Sequence, residues 1–302
     1  MQATSDEGAI ELEIPARGRK IDDFDVGRVL PAPLRRMVGP FVFFDHMGPA
    51  HLAPGRGMDV RPHPHIGLST VTYLFEGEIL HRDSLGSAQA IRPGAINWMT
   101  SGRGIVHSER TSPEARAAGP ALHGLQLWVA LPHEAEECAP TFAHHPADTI
   151  PELGEPGVEL RVLAGEAYGA RSPVVVASPL FYVEAQLAAG ARLAVPGEYE
   201  ERAVYVIEGA VECDGAAIAP RTMAVLRRGT SPTLTANAPT RLVVLGGAPI
   251  GPRYIWWNFV SSRTARIEEA ARDWKAERFP IVPGDAHERI PLVDEPHFPA
   301  HG

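Results

Sequence analysis

Two short segments of this chain carry residue types that hold metals, each with two candidate ligands one residue apart: Arg61-Pro62-His63-Pro64-His65 and Gly102-Arg103-Gly104-Ile105-Val106-His107-Ser108-Glu109. The sequence around both is strand-like. Side chains alternate between the two faces of a strand, so His63 and His65 share one face, and His107 and Glu109 share one face of another strand. Brought together inside a barrel, the four converge as one site of three histidines and one carboxylate. Three neutral imidazoles and a carboxylate form a borderline nitrogen and oxygen donor set that suits Fe(II) and also admits Mn, Co, Ni, Cu or Zn. Four protein ligands around an octahedral ion leave positions for an organic substrate and for O2 or water, an oxygenase arrangement. The rival reading, four polar side chains on exposed strand faces, is disfavoured by the density of the motif.

The remaining histidines are read as ordinary polar or surface residues. His51, His81, His133, His144, His145, His287, His297 and His301 belong there, and His46 and His123 are intermediate. The Trp98-Met99 and Trp256-Trp257 pairs could line an aromatic cavity, but in β-barrels such residues are more often core. Arg103, between two glycines, is a turn residue or a charge at the pocket mouth. The Glu134-Ala135-Glu136-Glu137 run reads as a solvated face.

The elements that must position the quartet are short and β-rich. Gly and Pro, 29 of each, punctuate them at a spacing that suggests barrels or sandwiches more than βαβ units. Leu68 to Phe75 is rich in β-branched and aromatic residues and ends at the turn Glu76-Gly77; Glu78 to Arg82 should follow as a strand. Further strands are expected at Ala95 to Met99, around His107, and at Leu125 to Ala130. The 302 residues, 44% hydrophobic and 22% charged, suggest about two domains at the usual ~100–200 residues each. A Pro-, His- and Glu-rich stretch from Pro132 to Gly157 breaks the pattern. The division is drawn as a metal-binding domain 1–135, a linker 136–170 and a second domain 171–302.

Several function classes are excluded or disfavoured. No apolar run approaches the ~20 residues that span a bilayer. The polar, acidic start lacks the basic and apolar regions of a secretory signal, so the cytoplasm is the expected location. Cys138 and Cys213 are too few and too separated for a disulfide framework or a cysteine zinc site. A net charge of −9 provides no general field for phosphates, which disfavours direct nucleic-acid binding.

The second half echoes the first faintly. Ala203-Val204-Tyr205-Val206-Ile207-Glu208-Gly209 parallels Val71 to Gly77, but the preceding Pro196-Gly197-Glu198-Tyr199 has no histidine pair. The second barrel is therefore expected to be metal-free. Near the end, Ser262-Arg263 through Phe279 reads as an amphipathic helix, with Ile267, Ala270, Ala271 and Trp274 on one face and Pro280 as a stop.

Taken together these features resemble the pirin family, a branch of the cupin superfamily. The resemblance rests on His63-Pro64-His65, Thr70-Val71-Thr72-Tyr73-Leu74, Asn97-Trp98-Met99-Thr100, Gly102 through Glu109, and His123-Gly124-Leu125-Gln126-Leu127-Trp128-Val129, with Gly251 through Ser262 resembling the closing segment. It implies an all-β fold with minor helix, a bicupin of two stacked antiparallel barrels of jelly-roll type. It also implies one mononuclear iron-type metal held by residues matching His63, His65, His107 and Glu109. The implied activity is that of a quercetin 2,3-dioxygenase: a flavonol hydroxyl loses its proton, with Glu109 as the group that accepts it, and O2 cleaves the ring with release of carbon monoxide. The alternative is a non-enzymatic, redox-sensing iron protein that binds transcription factors or metabolic enzymes. One departure stands out: many pirins have a glutamate where this chain has Ser69. Counting parity from His63 and His65, Ser69 should face inward, leaving Glu109 as the negative ligand.

Overall fold

The computed structural model describes residues 8–21 and 24–292. The fold is that expected, mostly antiparallel strands with two short α-helices, Pro113–Ala118 and Thr264–Lys275. No helix is long and apolar enough to cross a membrane among the described residues.

The chain divides into two compact units, each with the sheet pattern of a cupin barrel. Among the described residues, one is drawn from 20–21, 24–25, 47–144 and 251–292, the other from 8–19, 26–46 and 145–250. In the first, a four-stranded sheet runs in the order Asp59–His65, Ile105–Arg110, Ile79–Asp83, Ala88–Ile91. Its larger sheet places Ile96–Thr100, Leu68–Gly77 and Ala121–Ala130 side by side. In the second unit the same pattern recurs. The four-stranded sheet is Arg192–Ala194, Thr233–Ala236, Val211–Cys213, Ala216–Ile218, and the larger one includes Thr222–Leu226, Glu201–Glu208 and Thr240–Gly247 in neighbouring places.

The echoed sequences are therefore the same strand in each unit, and both end at a glycine for a steric reason. Gly77 has φ 91° and Gly209 φ 98°, a region that residues with a Cβ rarely enter. A Cβ at Gly77 would lie 2.0 Å from the Ala121 carbonyl oxygen. The stretch 136–170, read as a linker, holds the strands Thr141–His145, Glu152–Glu155 and Val158–Ala167, the last with Val162, Leu163 and Ala164 fully buried.

The helix Thr264–Lys275 buries the four residues that its period picks out, Ile267, Ala270, Ala271 and Trp274. It ends short of Phe279 because Glu277 turns into the left-handed region, φ 57°. Its apolar face packs with Ile66 and Val106, the sequence neighbours of His65 and His107. Alternation thus sends the histidines to one side of their sheet and fastens the other side under the helix; each fully buried large apolar side chain there contributes about 1.5–3 kcal/mol.

Glu136 corrects the reading of its run as a solvated face. It is 3% exposed, paired with Arg253 at 2.9 Å, and accepts hydrogen bonds from the Ser261 hydroxyl and the Ser262 amide and hydroxyl. Removing one partner of such a buried pair leaves the other charge uncompensated.

Candidate metal centre

His63 and His65 lie at the end of the strand Asp59–His65, and His107 stands directly across from His63 in the neighbouring strand Ile105–Arg110. One ligand-type nitrogen from each of the three falls within 4.8 Å of the others, and all three rings are buried. Ring centroids are 4.4 to 5.0 Å apart.

The outward nitrogens fix the tautomers. His63 Nδ1 is 2.8 Å from the Arg61 carbonyl oxygen and His65 Nδ1 is 2.9 Å from that of Asn258. A carbonyl can only accept, so both Nδ1 atoms carry the proton and both Nε2 atoms present bare lone pairs inward. His65 Nε2 and His107 Nε2 stand 3.1 Å apart. Two imidazole nitrogens at ~2.1 Å from one ion and at right angles are about 3.0 Å apart. The donors therefore fit a single cation.

Burial holds the three rings neutral. His63 is pushed down to about 4, and His65 and His107 lie well below the ordinary imidazole value, burial being the main cause for each. Neutral imidazole is the form that ligates.

Glu109 is on the same strand two residues past His107, buried, and its carboxylate lies outside the tight three-histidine group. The ladder slips between the two, with His107 opposite His63 but Glu109 opposite Val60, a bulge of the sort that re-aims side chains next to active sites. Burial pushes its carboxyl above the ordinary range, opposed by His81 and by the Thr72 hydrogen bond. Thr72 Oγ1 is 3.2 Å from Glu109 Oε1 and 2.9 Å from the Gln126 side-chain amide. One hydroxyl proton serves one acceptor. Turning the Gln126 amide so that its NH2 donates to Thr72 frees Thr72 to donate to Glu109.

Ser69 faces away from the site, against the parity argument. Its strand starts after Gly67, at φ 68°, and alternation does not carry across that turn. Thr72 reaches Glu109, so Thr70 and Leu68 share its face and Ser69 takes the opposite one, its hydroxyl 2.9 Å from Thr100 Oγ1. A serine here removes no ligand. Trp98 pairs across from Val71 and belongs with Ser69's face, whereas Met99 and Trp128, across from Thr70, belong with the site; the Trp128 ring meets His65 edge-on at 5.1 Å. Trp256 and Trp257 pack with the helix cluster. Arg103 is exposed in its turn. His297 and His301 lie outside the described residues.

Sequence reasoning set His81 among the bland histidines, yet it is 3% exposed and sits across from Glu109. His81-Arg82-Asp83 has the same one-apart spacing as His63-Pro64-His65, and that spacing was the available signal.

Comparison with known proteins bears on the whole chain. The Pirin family model matches residues 23–129 and the Pirin C-terminal cupin domain residues 182–280. A pirin-like protein of Caulobacter vibrioides is 52% identical, over 94% of this chain and all of that one. Human pirin is 33% identical over 83% of this chain and 86% of its own. Among solved structures, a quercetin 2,3-dioxygenase from Acinetobacter baumannii superposes with a TM-score of 0.87 at 34% identity, covering 95% of this chain and 97% of that one.

Proposed function

The chain belongs to the pirin family, and from that membership we propose that it is a metal-dependent dioxygenase acting on quercetin-like flavonols, consuming O2 and releasing carbon monoxide. The observation that carries the proposal is the convergence of the three buried histidines, with the Nε2 atoms of His65 and His107 facing each other at 3.1 Å. The likeness to a solved quercetin 2,3-dioxygenase supports the choice of substrate class.

His63, His65 and His107 hold one divalent ion, with Fe(II) the ion assigned, and Glu109 is the fourth ligand. The metal, when bound, supplies the Lewis acidity and redox capacity that flavonol oxygenation needs. The protein's own groups do the rest. Glu109 takes the proton that the flavonol hydroxyl loses, a general-base role that a carboxylate beside the metal can fill. Thr72 holds that carboxylate in place. Met99 and Trp128 supply an apolar wall for a flat aromatic ring.

The second reading is a redox-sensing iron protein that works by binding partners. What favours it is the closure of the site, His65 and His107 each being only 1% exposed. Both readings are tested together by loading the protein anaerobically with Fe(II) and following O2 uptake and carbon monoxide release with quercetin. Turnover that disappears in His63→Ala and Glu109→Ala supports the dioxygenase. Tight metal binding with no turnover of any flavonol overturns it in favour of the sensor.

A further inference from the structure

The three histidines differ in what stands behind them. For His63 and His65 the outer partner is a backbone carbonyl. For His107 it is another imidazole: His107 Nδ1 lies 3.5 Å from His81 Nδ1, and His81 Nε2 lies 2.9 Å from Asp83 Oδ2. His81 is held from a further side by Phe142, whose ring stacks on it at 4.2 Å with only 9° between planes.

Proton placement follows from the end of this chain. The Asp83 carboxylate only accepts, so His81 carries a proton on Nε2, and a singly protonated ring then leaves Nδ1 as an acceptor. His107 then donates from its own Nδ1, and its Nε2 is left bare and aimed at His65. Resting on the metal reading of the triad, we propose that Asp83 and His81 are positioning residues that set the tautomer and ring orientation of His107, the one histidine of the triad whose Nδ1 meets a side chain where those of His63 and His65 meet a backbone carbonyl. Outer partners of ligating histidines act in this way, and losing one typically weakens metal binding about 10–100-fold.

Asp83→Asn separates this role from plain structure. Asp83 Oδ1 also accepts the Leu85 and Ser87 amides, and the amide oxygen of the replacement keeps both. Its NH2 then faces His81 Nε2, which must accept, and the His81 proton moves to Nδ1, against the proton on His107 Nδ1. His81→Phe removes the acceptor but keeps a flat ring against Phe142, whereas His81→Gln offers an amide oxygen in its place. The experiment measures Zn(II) affinity of the full-length protein by chelator competition, and the position of the His107 proton in the metal-free protein by 15N NMR.

Asp83→Asn and His81→Phe are expected to bind Zn(II) about 10–100-fold more weakly. His81→Phe also lowers the thermal melting of the metal-free form, because it leaves the buried Asp83 carboxylate without its imidazole, whereas His81→Gln, which keeps a donor toward Asp83, does not. His81→Gln recovers most of the loss, and the His107 proton sits on Nδ1 in the wild type but not in Asp83→Asn. Zn(II) affinity of Asp83→Asn equal to wild type, or a wild-type His107 proton on Nε2, overturns the proposal. A wild-type protein that takes up no Zn(II) contradicts the metal reading instead, and the proton position then decides the role of His81 alone.

Discussion

The two units use one strand plan and fill it with opposite chemistry. In the histidine unit His107 stands between His63 on one neighbouring strand and Asp83 on the other. At the same place in the other unit Leu234 stands between Leu193 and Cys213. Two residues on, Glu109 faces His81, and its counterpart Ala236 faces Val211. Thr72 faces Gln126, and Val204 faces Val244. Every one of these counterparts lies in a single apolar cluster. The interior of this strand plan can thus be closed with aliphatic side chains. Burying a cluster of imidazoles and a carboxylate there instead has a desolvation cost, which points to a ligand that uses them. Asp83 and His81 follow the same substitution pattern as the triad, which sets them with the site and apart from the general core.

Swapping residues between the units tests the comparison. His107→Leu, which copies Leu234, should leave a folded protein and abolish metal binding, measured by metal content after loading and desalting. Retention of the metal would break the correspondence. Leu234→Ala opens a hole in a packed core and should cost about 2–5 kcal/mol in denaturant unfolding. His107→Ala in metal-free protein should cost less, because His107 is surrounded by polar rings rather than by tight aliphatic packing; equal costs would argue that both interiors are merely structural.

Acid should distinguish the units as well. His63 is pushed down to about 4 in the folded protein from an ordinary 6.5. Between those values the unfolded chain binds the proton that the folded chain does not, so metal-free stability falls as pH drops through that window. His63 alone accounts for about 3 kcal/mol of this. In His63→Leu the slope of stability against pH over that range should flatten, as urea titrations at several pH values would show. The smallest effect is expected from Thr72→Val, which copies Val204. Loss of one hydrogen bond to Glu109 should change metal affinity by about 1 kcal/mol, read by chelator competition, with no change in fold.

Much of this was legible in the sequence, and the failures share a cause. His63 and His65 were readable as a pair because they sit on one uninterrupted strand, where alternation holds, whereas the bulge that sets Glu109 apart from His107 is marked by nothing local. The C-terminal helix was readable because Ile267, Ala270, Ala271 and Trp274 keep the 3.6-residue period on a single face. Ser69 was misplaced because the positive φ of Gly67 resets the alternation, and a glycine's φ is not written in its neighbours. Glu136 hides in an acidic run, and its partner Arg253 is more than a hundred residues away, so nothing local marks it as buried. His81 was passed over because its significance depends on facing Glu109 across a ladder, a pairing that only the fold supplies.

The most direct test of the account is a metal titration of the full-length protein, stripped and reloaded anaerobically with Fe(II), beside His107→Leu and Leu234→Ala. One ion per chain in the wild type and in Leu234→Ala, with none in His107→Leu, is the predicted result. A wild type that binds no metal, or a His107→Leu protein that still binds one ion, would contradict the assignment of the triad as the metal centre.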